Sequence, residues 1–108
     1  MNIKQINNEF EVLFPNKDNN GDSLRTKQNQ FKSILLDTFG GYSEHQVKGA
    51  WKDKGEVYQD ELTSYSVSGD SISPKDFESL LTFVIIEGKQ KAVFYKYNNK
   101  SFIAEDKK

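Results

Sequence analysis

Hydrophobic residues along the chain recur at two different spacings, and these predict strands that alternate with helices. The apolar run over 10–14 is short and is followed by Pro15, which is typical of a strand that ends at a turn. Polar residues over 16–21 predict a loop. The next apolar residues recur at helical spacing, and they are Leu24, Phe31, Ile34 and Leu35. We expect a helix over 22–39, capped by Asp22 or Ser23 and ended by the pair Gly40-Gly41.

The middle of the chain predicts a β-hairpin. Because successive side chains of a strand point to opposite faces, five residues of its first strand share one face: Ser43, His45, Val47, Gly49 and Trp51. Asp53-Lys54-Gly55 is typical of a hairpin turn with glycine at a position that needs a positive φ. The returning strand extends from about Val57 to Val67. Its polar segment 59–61 predicts a bulge or a break.

The last third of the chain predicts a second helix and two short strands. Ser73-Pro74, with Asp76 three positions after the serine, is typical of a capped helix start. The apolar residues that follow have the spacing of a helix buried on one face: Phe77, Leu80, Leu81, Val84 and Ile85. We predict this helix over 74–88, a strand over 92–97, a turn at Asn98-Asn99 and an edge strand over 101–104. Residues 1–8 and 105–108 are expected to be frayed.

The predicted order of elements indicates the fold class. Strand, helix, strand, strand, helix and strand, with a further C-terminal strand, is the order of the split βαβ arrangement. We therefore expect a single α+β domain over 1–108, a two-layer ferredoxin-like sandwich with both helices on one face of an antiparallel sheet. The other face of such a sheet is left to water, a ligand or a partner.

Two short motifs carry a resemblance to a family. Phe39-Gly40-Gly41-Tyr42 is followed by Gly49-Ala50-Trp51-Lys52-Asp53, and this combination resembles short uncharacterised bacterial and phage proteins with a Phe-Gly-Gly-aromatic motif and a Gly-x-Trp motif. The turn glycine of that pattern would be Gly55, and its acidic position Asp60 or Glu61. The resemblance spans about residues 31–67. It implies a ferredoxin-like fold and no established activity.

Composition narrows the kinds of site that the chain can carry. The absence of cysteine excludes disulfides, thiolate metal sites and cysteine nucleophiles, and a single histidine excludes sites that need two. We predict neither a metal nor a cofactor. No apolar run is long enough to span a membrane, and residues 1–8 lack the apolar stretch of a secretory signal. A cytoplasmic protein with no membrane partner is expected.

Nucleic acid is not an expected partner either. Lysines alternate with aromatic residues over 91–97, a pattern that can stack on single-stranded RNA. However, the strand over 57–62 is acidic and would repel phosphates, and the net charge of the whole chain is −1.

His45 is the strongest candidate for chemistry, because histidine is the side chain that changes charge near neutral pH. Glu61 or Tyr65 on the neighbouring strand is a candidate partner in an acid/base site, and Asp60 is a further carboxylate nearby. The alternative is that His45 is an ordinary, partly exposed strand residue. A concave pocket that holds His45 together with a carboxylate would favour the enzyme.

Two functions follow as hypotheses. The main one is a small non-catalytic binding or regulatory protein of the phage, plasmid or low-GC bacterial type, with an unspecified protein partner. Its binding residues would be aromatic side chains of the kind that dominate interfaces: Trp51, Tyr65, Tyr95 and Tyr97. If several of these point outward from the uncovered sheet face, we expect a homodimer through that face. The alternative is a small-ligand-binding protein or an enzyme with an acid/base site around His45.

Overall fold

Five strands and two helices make up the fold. The computed structural model describes residues 1–70 and 72–106. Its elements are β1 (Glu9–Pro15), α1 (Arg25–Phe39), β2 (Ser43–Asp53), β3 (Glu56–Ser68), α2 (Pro74–Glu87), β4 (Ala92–Tyr97) and β5 (Lys100–Glu105). The strands form one sheet in the order β2-β3-β1-β4-β5, and every neighbouring pair is antiparallel. The predicted α+β class is confirmed.

Both helices cover the same face of the sheet, which we call the helix face. The even-numbered residues of β1 point to this face, and Phe10, Val12 and Phe14 are fully buried. Phe31 of α1 packs edge-on against Phe14 with ring centroids 5.4 Å apart. Phe77 of α2 stacks on Phe10 at 4.7 Å. The aromatic residues of this chain therefore form the core between sheet and helices, which is where their large apolar area contributes most.

The β2–β3 hairpin is the longest feature of the sheet. Its pairing continues without interruption from Ser43↔Ser66 to Asp53↔Glu56, so the predicted bulge at 59–61 is wrong. These polar residues continue the ladder because most of this outer part of the hairpin is exposed on both faces, and a polar side chain there keeps its water. Lys54 and Gly55 form the turn with φ values of 51° and 84°.

Helix α1 begins later than predicted. Residues 16–24 form a loop that precedes the helix. The bridge between Lys17 and Ser23 and the hydrogen bond from Leu24 N–H to the Asn16 carbonyl close this loop. The Ser23 hydroxyl still accepts a hydrogen bond from the N–H of Arg25, at 3.2 Å. The end of the helix agrees with the prediction, since Gly40 adopts a φ of 82° and donates to Leu36.

Hydrogen bonds fix the start of α2 and the end of β5. At the start of α2, Oδ2 of Asp76 accepts hydrogen bonds from the N–H and the hydroxyl of Ser73, at 3.1 Å and 3.0 Å. Glu105 is the last residue of β5 and pairs with Ala92 of β4, so the prediction that it is frayed is wrong. The expectation for Lys107 and Lys108 lies outside the described residues, and residues 1–8 contain no helix or strand.

Candidate functional site

His45 lies on the face opposite the helices, which we call the open face. It pairs with Ser64 of β3, so the two side chains point the same way. Glu61 pairs with Lys48, and Tyr65 pairs with Glu44. Because both residues are an odd number of positions from Ser64, they point to the helix face. The structure therefore does not bring His45, Glu61 and Tyr65 together, and this predicted catalytic set is wrong.

Three of the four predicted binding aromatics belong to the core. Tyr65 is only 2% exposed and lies 5.3 Å from Phe31. Tyr95 and Tyr97 pack on the same layer, and the ring of Tyr97 lies 4.8 Å from that of Phe77. Burial and, to a smaller extent, the nearby Glu44 carboxylate raise the pKa of Tyr65 to about 12. These tyrosines therefore stabilise the fold, and of the predicted set only Trp51 remains on the open face.

A small groove on the open face is lined by His45 and by a carboxylate that the sequence analysis missed. Its cavity volume is about 440 Å³, and its lining includes His45, Glu11, Ser64 and Lys96. The hydroxyl of Ser64 donates a 2.7 Å hydrogen bond to Oε2 of Glu11, and that of Ser66 donates one of 3.4 Å. His45 and Glu11 therefore line one groove, but β3 lies between their strands and no hydrogen bond among the described residues joins them. The available signal was the alternation in β1, where buried Phe10 and Val12 direct Glu11 to the other face.

A larger groove adjoins the small one. Its cavity volume is about 890 Å³, and Leu13 and Phe94 line both grooves. At the hairpin end of this groove the indole N–H of Trp51 donates a 3.0 Å hydrogen bond to Oδ2 of Asp60. The ring of Trp51 also stacks on Tyr58, with centroids 4.5 Å apart and planes inclined by 19°. The two grooves meet at Leu13 and Phe94, and we call them together the channel.

The larger groove combines polar and apolar lining residues. Its lining includes Asp18, Asp60 and Lys17 together with the apolar residues Leu13 and Leu62. Polar groups placed among apolar ones can orient a bound ligand. Over residues 1–70 and 72–106, no three histidine or acidic side chains form a group that could hold a metal ion. In the same ranges neither helix has the length and apolar character needed to cross a membrane.

Solved structures of other proteins resemble this chain in fold. A phage SAM lyase in complex with S-methyl-5′-thioadenosine superposes with a TM-score of 0.71, covering 98% of this chain and 95% of its own, at 9% identity. The apo state of a phage SAM lyase gives 0.69 over 100% and 98%, also at 9% identity. CutA from Synechococcus elongatus gives 0.53 over 96% and 80%, at 6% identity. No protein-family model matches the sequence, and no curated protein matches it significantly.

These likenesses overturn the main functional hypothesis. Two structures that share this fold over its whole length, at TM-scores of 0.71 and 0.69, are those of an enzyme, which argues against a non-catalytic binding or regulatory protein. At 9% identity the likeness extends to the fold alone. The alternative hypothesis, a small-ligand-binding protein or an enzyme, agrees better with these neighbours. The resemblance to short bacterial and phage proteins stays a prediction.

Proposed function

We propose that this protein is an enzyme that binds an adenosine-containing thioether or sulfonium compound, of the S-adenosylmethionine class, in the channel on its open face. The observation that carries the proposal is the carboxylate of Glu11, which is held by Ser64 in the groove that His45 also lines. The whole-length likeness to a phage SAM lyase that binds S-methyl-5′-thioadenosine supports the choice of ligand class.

Glu11 and His45 have complementary roles in this proposal. The negative charge of Glu11 attracts a cationic sulfonium or ammonium group of the ligand, and its carboxylate can accept a proton. When the bond between the sulfonium sulfur and the aminoalkyl chain breaks, the electron pair goes to sulfur and leaves a neutral thioether. In an elimination, Glu11 takes the proton from the carbon next to the one that leaves sulfur, and the electron pair of that C–H bond forms a double bond between the two carbons. His45 and Lys96 then face the carboxylate end of the substrate from the same groove.

The test is turnover of S-adenosylmethionine by the purified protein, followed by chromatography of S-methyl-5′-thioadenosine. We expect product from the wild type, and at least tenfold slower product formation from Glu11→Gln. Glu78→Gln, on the exposed side of α2, is the matched control and should leave the rate unchanged. A wild-type protein that neither binds nor converts the compound, or a Glu11→Gln variant as fast as the wild type, would contradict the proposal.

The finer fold assignment belongs to the same proposal. We propose a ferredoxin-like βαββαβ sandwich to which β5 is added at the edge beyond β4. The element order and the strand order β2-β3-β1-β4-β5 support it.

We also propose that the protein forms a homodimer through the part of the open face that β4 and β5 form. Phe94 and Ile103 pair across β4 and β5, and both are exposed on this face. A second copy of the chain would cover this apolar patch, which extends onto the edge strand β5. Light scattering at micromolar concentration should give the mass of two chains, and the mass of one chain would contradict the dimer.

A further inference from the structure

The hairpin end of the channel presents an aromatic ring with one face available. Tyr58 stacks on Trp51, but Tyr58 is not part of the groove lining among the described residues, whereas Trp51 is. Trp51 is 51% exposed, so the tyrosine supports one side of the indole and leaves the other side accessible from the groove. An accessible indole supported in this way stacks well with a flat, electron-poor ring.

Asp60 lies beside this ring with one carboxylate oxygen engaged. Oδ2 accepts the hydrogen bond from the Trp51 indole, and over the described ranges this carboxylate makes no other hydrogen bond or ion pair to a side chain. Since an ionised carboxylate accepts hydrogen bonds at both oxygens, Oδ1 remains able to accept from a ligand. The indole of Trp51 therefore holds the Asp60 carboxylate in place, and this carboxylate is the group to which two neighbouring hydroxyls of a ligand would donate.

Space for a ligand exists next to this pair because the facing strand position is a glycine. Gly49 pairs with Asp60 and lines the same groove. A Cβ added there would meet only Leu62 Cδ1, at 3.7 Å, within 4 Å. Because Gly49 has no side chain, the open face has an empty position between Val47 and Trp51.

We propose that Trp51 and Asp60 form a subsite for a purine nucleoside, whose base stacks on the indole and whose ribose hydroxyls donate to Asp60. The inference rests on the proposed function for its ligand class and adds the position and orientation of the nucleoside. Asp60 and Ser64 lie four residues apart on β3, which corresponds to ~14 Å at ~3.4 Å per residue. Both side chains point to the open face, so the small groove with Glu11 lies along the strand from Asp60. The nucleoside at Asp60 therefore directs the amino-acid end toward Glu11.

The test uses the fact that Trp51 is the only tryptophan of the chain. Titration with adenosine should quench its fluorescence to saturation, and calorimetry should give the same affinity. We expect 2′,3′-dideoxyadenosine to bind at least fivefold more weakly, because it lacks both hydroxyls. Wild-type protein whose fluorescence does not respond to adenosine would overturn the proposal.

Two variants separate the roles of the residues. Asp60→Asn keeps an oxygen for the indole but presents an N–H in place of the free acceptor, so it should bind adenosine and the dideoxy compound equally. Trp51→Ala should lower adenosine affinity at least tenfold by calorimetry, while Val57→Ala, on the exposed helix face of the same hairpin, should leave it unchanged. Wild-type affinity and discrimination in both site variants would overturn the subsite. Adenosine binding as described without turnover of S-adenosylmethionine would support the subsite and contradict only the proposed reaction.

Discussion

The hydroxyl of Ser64 donates a hydrogen bond to the carboxylate of Glu11, with 2.7 Å between Oγ and Oε2. Ser64 is 2% exposed, and Glu11 lies diagonally across on the neighbouring strand β1. Glu11 is only partly exposed, so its carboxylate is both oriented by a rigid donor and accessible from the small groove. A short hydrogen bond to an ionised group is stronger than one between neutral groups, and it holds the carboxylate in one rotamer.

Replacing Ser64 by alanine should therefore disorder Glu11 without unfolding the protein. We expect turnover of S-adenosylmethionine to fall about tenfold and the free energy of unfolding to fall by ~1 kcal/mol, the usual net contribution of one hydrogen bond. The matched control is Ser66→Ala, because the Ser66 hydroxyl lies 3.4 Å from the same oxygen and contributes less. Equal rate losses in the two variants would argue against a specific role for Ser64.

Gly49→Val tests whether the empty position in the larger groove is used. Valine favours a strand more than glycine does, and the added Cβ has ordinary contact distances, so the free energy of unfolding should rise by ~0.5–1 kcal/mol. The valine methyl groups would occupy the groove between Trp51 and Val47, and adenosine affinity should fall more than tenfold. Urea denaturation and calorimetry measure the two effects. Lys52→Val on the other face of β2 should leave the affinity unchanged, and undiminished binding to Gly49→Val would place the ligand elsewhere.

The buried phenol of Tyr65 predicts a specific loss of stability at alkaline pH. Its pKa is raised to about 12 in the folded protein, from an ordinary value near 10, so folding favours the neutral form. The resulting stabilisation is complete below pH 10 and is lost as the pH rises toward 12, since the unfolded chain ionises first. Urea denaturation between pH 9 and 12 should show a steeper decline for the wild type than for Tyr65→Phe. Parallel declines would contradict this account.

One leucine and one isoleucine on α2 should respond differently to replacement by alanine. Leu81 is buried against the sheet, and Leu81→Ala should lower the free energy of unfolding by ~2–5 kcal/mol through lost contacts and a cavity. Ile86 on the same helix is 65% exposed, and Ile86→Ala should change it by less than ~0.5 kcal/mol. Thermal or urea unfolding measures both values. Similar losses in the two variants would mean that the helix faces the sheet differently.

Local patterns were sufficient to predict the elements and their order. The capped start of α2, the glycine end of α1 and the turn at Gly55 each depend on a few neighbouring residues, so the sequence alone identifies them. The face shared by His45 and Trp51 was also predicted correctly, because alternation within one strand needs no partner.

The candidate site depended on the register between strands, which the sequence does not reveal. A shift of one residue between β2 and β3 would place Tyr65 instead of Ser64 beside His45, and the prediction left this register open. Hydrophobicity alone could not decide it, since Tyr65 suits a core and an exposed interface equally well. Glu11 was missed because it lies inside a short apolar run, where its neighbours Phe10 and Val12 indicated only burial.

The unbroken pairing of β2 with β3 has a consequence for how this protein can evolve. Along the outer part of these strands, one position points to the open face and the next is exposed on the helix face. Substitutions at Gly49, Trp51 and Asp60 can therefore alter the larger groove without disturbing the core, while the ladder is preserved. The scaffold can thus diverge in sequence and acquire new chemistry by single steps, each of which leaves the chain able to fold.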